Sequence, residues 1–326
     1  MHLDPAVRDY SPDGVQLGAM EHSLYTTLIN GRGRGNNGEK FPLTVYDVIP
    51  GGSSRMRLVH AGSEYPYYVS VDGHEISVVA SDGYELNPYK VTHVIIQPGE
   101  TIDFTLEADQ AVGNYWFRVR TIRAGTDFTV ERDGIIRENF AIVRYNGAPE
   151  QDPTSTPHQC SASSNCVVFN CPFAGYRDAD FMRCVSYNDV TSAIPKAQLD
   201  DEYGMSDEDY DEHFYTFAFG VGSGVNSKKF ISPSVPLYQP YEDAIVPCDS
   251  MDCDQGCRCT QINNLPFNRT VQMIFSNIEP TQTIFSHHPI HVHGHGFTVL
   301  KVGFPEYDST TGLWTSVNDD IECDDR

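Results

Sequence analysis

The chain has 326 residues and a formal net charge of −23, with 22 Lys and Arg against 45 Asp and Glu. This length is sufficient for two domains, each with its own hydrophobic core. The strong negative charge excludes ordinary nucleic-acid binding, because an acidic surface repels phosphate and gains nothing from counterion release. No uninterrupted apolar run is long enough to cross a bilayer.

Short runs of alternating apolar residues dominate the first half of the sequence. In SSRMRLVHAG, the side chains of Met56, Leu58 and His60 alternate with those of Arg55 and Arg57. The same period of two occurs in residues 67–71, 76–80 and 102–106. Turn signals separate these runs, and no long stretch has helical periodicity. Residues 17–147 are therefore predicted to form an antiparallel β-sandwich.

The second half of the sequence begins with a change of composition. Residues 147–165 are rich in Pro, Ser and Thr, and residues 199–213 form an acidic run that we interpret as a solvated connection. Strand patterns return from Phe214, in residues 269–278 and in residues 297–303. The predicted organisation is an N-terminal segment 1–16, a sandwich 17–147, a Cys-containing polar connection 148–204 and a second sandwich 205–326. The second sandwich is expected to lack its closing strands.

All nine cysteines lie between positions 160 and 323. This usage favours disulfides and an oxidising, extracellular compartment, although the sequence does not determine their pairing. Zinc is the alternative, disfavoured because residues 248–259 lack the paired C-x2-C spacing of most structural sites. The sequon Asn268-Arg269-Thr270 also fits secretion as a glycoprotein. Since the first residues lack a signal-peptide pattern, the signal is expected upstream of Met1.

Five of the twelve histidines lie within residues 287–295, in the stretch SHHPIHVHGHGF. A strand here would place His291, His293 and His295 on one face, with His288 pointing elsewhere, towards a separate centre. Imidazoles without a neighbouring carboxylate favour copper or zinc over magnesium or calcium. The cluster is therefore predicted to bind metal. Six of the other histidines are interpreted as ordinary packed or exposed side chains: His22, His60, His74, His93, His158 and His213.

The segment HPIHVHGHGF resembles the His-Pro-x-His-x-His-Gly-His-x-Phe motif of multicopper oxidases, especially the laccase-like members of animals. The resemblance implies copper as cofactor, with His288 on the type 1 copper, His291 on the type 2 copper and His293 on a type 3 copper. His287 and His295 match no ligand position of the motif. They remain candidates for supporting or structural roles.

The resemblance covers most of the chain. Residues 28–31, 55–62, 70–83 and 95–108 resemble the family's second cupredoxin domain, which normally carries no copper, so His74 is interpreted as structural. Residues 233–239, 248–259 and 264–277 resemble the opening of the third domain. The implied fold class is all-β, with two cupredoxin-like Greek-key sandwiches in tandem and the second truncated.

A laccase-type oxidase couples one-electron oxidation of phenols or aromatic amines to the reduction of dioxygen to water, and ferrous iron is a further candidate reductant. The family site also needs two other His-x-His pairs and a His-Cys-His motif, which this sequence lacks. The chain is therefore predicted to be an incomplete oxidase that is inactive alone, and its status as an enzyme stays open. The alternative is a non-catalytic cupredoxin-type metal-binding or interaction protein. A zinc hydrolase is disfavoured, because the cluster contains no Asp or Glu to act as general base.

Overall fold

The computed structural model of the chain describes sixteen separate stretches of sequence. They are residues 26–34, 41–62, 66–121, 138–171, 181–185, 187–195, 210–218, 224–231, 233, 235–236, 238, 245–248, 257–278, 290–303, 307–308 and 313–314. These stretches form strands joined by turns, with a short 3-10 helix at Tyr187–Asp189 and no α-helix among them. The all-β fold class is thus confirmed, and no helix in the described part of the chain could span a membrane.

Contacts within the chain divide it into two units. Unit 1 comprises Met1–Ile194 and Ser286–Arg326, and unit 2 comprises Pro195–Phe285. The strands of unit 1 are β1 (Val45–Val48), β2 (Ser53–Val59), β3 (Tyr67–Val71), β4 (Ile76–Ser81), β5 (Tyr84–Val91), β6 (His93–Ile96), β7 (Thr101–Glu107), β8 (Asn114–Thr121), β9 (Glu138–Tyr145), β10 (Cys166–Phe169) and β11 (Met182–Val185). The strands of unit 2 are β12 (Tyr210–Ala218), β13 (Gly224–Val225), β14 (Lys228–Phe230), β15 (Cys257–Cys259) and β16 (Thr270–Ile278). The last two strands, β17 (Tyr307–Asp308) and β18 (Leu313–Trp314), pair as a hairpin within unit 1.

The strands of unit 1 form two sheets around one core. One sheet has the order β1-β9-β8-β3-β6-β10-β11, and the other has the order β2-β7-β4-β5. Both sheets contribute side chains to the same apolar cluster, including Phe117 and Tyr145 from the first and Phe104 and Val78 from the second. Alternation explains this arrangement, since every second residue of a strand faces the core. The alternating patterns predicted around Met56 and in 67–71, 76–80 and 102–106 are confirmed as strands.

Strands β10 and β11 lie within residues 148–204, which the sequence predicted as a polar connection. Both extend the larger sheet of unit 1, because β10 pairs in parallel with β6 and with β11. Two disulfides, Cys160–Cys166 and Cys171–Cys184, fix the ends of β10. The connection therefore contributes to the core of unit 1, and the predicted domain boundaries remain a proposal.

A buried ion pair lies where β3 turns into β4. Arg118 on β8 donates two hydrogen bonds to Asp72, from Nε to Oδ1 at 2.6 Å and from Nη2 to Oδ2 at 2.9 Å. Ser155 Oγ donates a third bond to Asp72 Oδ2 at 2.7 Å. The segment around Ser155 is thereby fastened to the centre of the larger sheet.

The described part of unit 2 contains one sheet with the order β15-β14-β13-β12-β16. Strands β12 and β16 pair in parallel over nine residues, and the disulfide Cys248–Cys259 anchors β15. The predicted strand at 269–278 is confirmed, with its first residue at Thr270. The interpretation of 199–213 as wholly connecting is wrong at its end, because β12 begins at Tyr210.

Candidate metal centre

The histidine cluster is described from position 290 onwards, so His287 and His288 lie outside the described residues. Residues 290–303 contain a turn at His293–Gly294 and no strand. The predicted strand with His291, His293 and His295 on one face is therefore wrong, as is the strand predicted for 297–303. The physical reason is Gly294, whose φ of +76° lies in the left-handed region that ends an extended chain.

The turn brings two imidazoles of the motif together. The ring centroids of His291 and His293 are 4.6 Å apart, and the ring planes are almost perpendicular at 88°. His291, His293 and His295 are all exposed to solvent. Exposed rings at this separation can present nitrogen lone pairs to one metal ion or to two neighbouring ions. The two rings are thus adjacent across a turn instead of along a strand.

The donor set of this pair suits copper or zinc. Neutral imidazole is a borderline ligand that binds both metals, whereas magnesium and calcium require oxygen donors. No group of three or more His, Cys, Asp or Glu that could hold a metal ion occurs among the described residues. His291 and His293 therefore fit copper as two donors of a site that needs further ligands, and the third predicted ligand, His288, lies outside the described residues.

A tyrosine that the sequence did not indicate borders the cluster. A methyl group added at Gly296 would lie 2.7 Å from the Oη atom of Tyr84, the first residue of β5. A side chain at position 296 would therefore require the exposed Tyr84 side chain to move its hydroxyl aside. No local signal could have found this contact, because more than two hundred positions separate the two residues along the chain.

The histidines of the unit 1 core serve packing. His74 is buried between Tyr115 and Tyr145, and burial lowers its pKa. Burial likewise lowers the pKa of His93 to about 3, and its ring stacks on Tyr68 at 4.3 Å. The interpretation of these side chains as structural is confirmed. The same holds for His60, which is 5% exposed and accepts a hydrogen bond at Nδ1 from the Gly62 amide.

The cysteine interpretation is confirmed for the six residues in the disulfides Cys160–Cys166, Cys171–Cys184 and Cys248–Cys259. The zinc alternative required free thiolates in residues 248–259. Because Cys248 and Cys259 are bonded to each other, this group cannot provide four zinc ligands. The side chains of Cys253, Cys257 and Cys323 lie outside the described residues.

Comparison with known protein families identifies both halves of the chain. One multicopper oxidase model matches residues 7–148 and a second matches residues 230–321. The chain belongs to the multicopper oxidase family. The family resemblance of the motif is thus confirmed, and oxidation with copper is the chemistry of this family.

The relatives of this family member include fungal laccases. Laccase-1 of Trametes villosa is 30% identical over 276 residues, which cover 84% of this chain and 46% of that protein. The laccase of Pycnoporus cinnabarinus is 28% identical over 296 residues, covering 89% of this chain and 50% of that protein. The chain spans about half the length of the curated relatives it matches.

Solved structures of multicopper oxidases also match parts of the chain. Fet3p, a multicopper oxidase that functions in iron import, has a TM-score of 0.42 and 14% identity, covering 59% of this chain and 32% of that protein. The laccase of Botrytis aclada has a TM-score of 0.38 and 18% identity, covering 60% of this chain and 30% of that protein.

Proposed function

We propose that residues 286–297 supply copper ligands to a laccase-type oxidase. His288 would hold the type 1 copper, His291 the type 2 copper and His293 a type 3 copper. The observation that carries the proposal is the exposed His291–His293 ring pair, 4.6 Å apart, within the motif of a multicopper oxidase family member. The substrates would be a phenol or aromatic amine and dioxygen, with ferrous iron as the second candidate reductant.

When bound, copper would supply one-electron transfer from the reductant and the reduction of dioxygen to water. The histidines of this chain would hold and position the copper ions. The ring nitrogens of His291 and His293 coordinate through an unprotonated lone pair, so protons compete with copper for them. Gly294 permits the turn that sets the angle between the two rings.

The oxidase activity would need ligands that these 326 residues do not contain. A blue copper site depends on a cysteine thiolate, and no His-Cys-His motif occurs in the sequence. We therefore propose that the chain alone binds copper without reducing dioxygen. This same observation favours the second candidate function, a non-catalytic metal-binding protein of the cupredoxin type. An extracellular location is proposed with either function and is supported by the three disulfides.

Copper titration of the 326-residue chain tests the ligand assignment. Binding would be measured by electron paramagnetic resonance of Cu(II) and by calorimetry, with the double variant His291→Ala/His293→Ala compared with His295→Ala. His295 is the matched control, because it is an exposed histidine of the same segment that fits no ligand position. We expect the double variant to lose copper binding and the control to keep it. Equal losses in both would refute the assignment and indicate nonspecific binding by a His-rich segment.

Oxygen consumption separates the two candidate functions. The 326-residue chain, loaded with copper and given a phenol, should consume no oxygen; consumption would show that the claim of incompleteness is wrong. The longest transcript that contains this sequence should be expressed in parallel. Oxygen uptake by its product, lost in a His288→Ala variant, would support the oxidase, whereas a copper-loaded product without uptake would support the non-catalytic alternative.

A further inference from the structure

Tyr145 and His74 form a hydrogen-bonded pair in the core of unit 1. The Tyr145 side chain is fully buried, and His74 is 1% exposed. The carbonyl oxygen of Asp72 lies 2.7 Å from His74 Nδ1 and can only accept, so the imidazole proton is on Nδ1. The Nε2 lone pair therefore accepts a hydrogen bond from the Tyr145 hydroxyl, at 2.7 Å. A phenol and a base that can take its proton are thus held in contact, away from water.

His74 is available as a proton acceptor because its ring is neutral. Burial lowers the pKa of His74 below the ordinary value, so the ring carries no second proton at neutral pH. The hydrogen bond to the Asp72 carbonyl and the charge of Asp109 act in the opposite direction, so they would stabilise an imidazolium formed within the core. The Gln110 amide donates to the Tyr145 hydroxyl oxygen at 3.1 Å, which leaves the hydroxyl proton to face His74.

Tyr115 connects this pair to the surface of unit 1. Its ring lies edge-on to His74, with centroids 4.8 Å apart, and its centroid is 5.3 Å from that of Tyr145. The Tyr115 side chain is partly exposed, and its hydroxyl donates to the carbonyl oxygen of the exposed Ala111 at 2.7 Å. Aromatic rings at these separations are in contact, and rings in contact exchange an electron readily. An oxidant at the surface can therefore reach Tyr145 through Tyr115.

The base distinguishes Tyr145 from other tyrosines of unit 1. Removing an electron from a phenol makes its hydroxyl a strong acid, and a cation that kept this proton would be costly in an apolar core. Transfer of the proton along the existing hydrogen bond to His74 leaves a neutral radical on Tyr145. The partly buried Tyr46 has no such acceptor among the described residues, because its hydroxyl oxygen accepts from Asn30 Nδ2 at 3.2 Å. Tyr46 is therefore a matched control.

We propose that Tyr145 and His74 form a one-electron redox site that exchanges its electron with the surface through Tyr115. The oxidant would be an aryloxyl radical, the product of one-electron oxidation of a phenol. The electron leaves Tyr145 through Tyr115 and reduces this radical, which takes a proton from solvent and becomes a phenol. The Tyr145 hydroxyl proton moves to His74 Nε2, leaving a tyrosyl radical beside an imidazolium. The choice of natural oxidant rests on the proposed laccase-type function, whereas the redox site itself requires no copper.

Flash photolysis of the copper-free chain tests the site. A ruthenium(III) polypyridyl complex, generated by a light pulse, would replace the aryloxyl radical as oxidant. Tyrosyl radicals would be followed by transient absorption and by electron paramagnetic resonance after freeze-quenching. We expect a long-lived radical in the wild type, because a buried radical cannot couple with another, and its loss in Tyr145→Phe but not in Tyr46→Phe. Equal radical yields and lifetimes in the wild type and Tyr145→Phe would overturn the proposal.

Two further measurements separate proton transfer from packing. In His74→Gln, the side-chain oxygen can accept a hydrogen bond from Tyr145 but is not a base, so the long-lived radical should form roughly 100-fold more slowly. An unchanged rate would refute proton transfer to His74. The second measurement needs no substitution. In the wild type, the formation rate should be independent of the concentration of buffer base, because the acceptor is internal, and a rate proportional to it would equally overturn the proposal.

Discussion

Removing the charge of Asp72 should be among the most destabilising single changes in unit 1. The Asp72 side chain is fully buried and the Arg118 side chain is 11% exposed, so water can do little to compensate a lost partner. The carboxylate accepts three short hydrogen bonds, two from Arg118 and one from Ser155. In Asp72→Asn, one oxygen becomes an NH2 group, which has no acceptor lone pair and faces other donors. The variant thus leaves a buried guanidinium without its counter-charge.

Breaking a buried ion pair in this way costs about 3–5 kcal/mol. Glu138 lies 3.5 Å from Arg118 Nη1 and offers partial compensation, so we expect a loss of about 3 kcal/mol in the free energy of unfolding, the lower end of that range. The comparison variant is Glu85→Gln, which breaks the Arg55–Glu85 pair. The Arg55 and Glu85 side chains are about half exposed, at 44% and 50%. Glu85→Gln should therefore lower the free energy of unfolding by less than about 1 kcal/mol.

Urea denaturation of both variants would measure these losses. The double variant Asp72→Asn/Arg118→Met should recover part of the stability, because it removes the unpaired charge along with its partner. A loss below about 1 kcal/mol for Asp72→Asn alone would refute the reasoning, because it would mean that the pair is screened as a surface pair is. A double variant less stable than Asp72→Asn would show that Arg118 contributes through packing more than through charge.

Two further predictions concern a buried carboxyl and the border of the histidine cluster. Burial raises the pKa of Glu100, so its contribution to stability is complete below the unfolded-state pKa, about 4.3, and is lost as the pH rises through the folded-state pKa. In Glu100→Gln, the side-chain oxygen can still accept hydrogen bonds from the Gln97 amide and Asn170 Nδ2. The melting temperature of this variant should therefore exceed that of the wild type at neutral pH but not at about pH 4. An equal difference in melting temperature at both pH values would contradict this. Gly296→Ala should destabilise by less than about 1 kcal/mol, because its Cβ would lie 2.7 Å from Tyr84 Oη, the far end of an exposed side chain that can move aside. In a Tyr84→Phe background most of that cost should disappear in thermal melts, and an unchanged cost would refute the contact.

The parts of the fold that sequence reasoning found are those set by local alternation. Met56 and Leu58 repeat at the period of a strand, and their strand pairs with β7 so that Met56 lies opposite Phe104. Strands β10 and β11 were missed because their place depends on a distant partner. Val168 pairs with His93, seventy-five positions away, and the surrounding Pro, Ser and Thr obscure the short apolar run. Parallel pairing over such distances leaves no mark in the local pattern.

The candidate site likewise has features that the local sequence predicts and features that depend on distant residues. The candidate ligands follow from the composition of residues 287–295, and the structure places the rings of His291 and His293 next to each other. The strand prediction fails because it follows from the alternation of His with other residues, whereas Gly294 interrupts the extended chain. Glycine is the local signal for a left-handed turn, and at φ of +76° it decides the backbone path here. The approach of Tyr84 to Gly296 is tertiary and has no such signal.

Access to a ring lone pair distinguishes the proposed copper ligands, His291 and His293, from the buried histidines of this chain. His74 Nδ1 lies 2.7 Å from the Asp72 carbonyl oxygen, which can only accept, so Nδ1 carries the proton. The lone pair then remains on Nε2, where it accepts a hydrogen bond from the Tyr145 hydroxyl at 2.7 Å. Both ring nitrogens are therefore engaged in a buried site. His291 and His293 lie in solvent, where a metal displaces only water. Copper binding should accordingly be insensitive to changes at Tyr145 that leave the fold intact, and sensitive to either exposed imidazole.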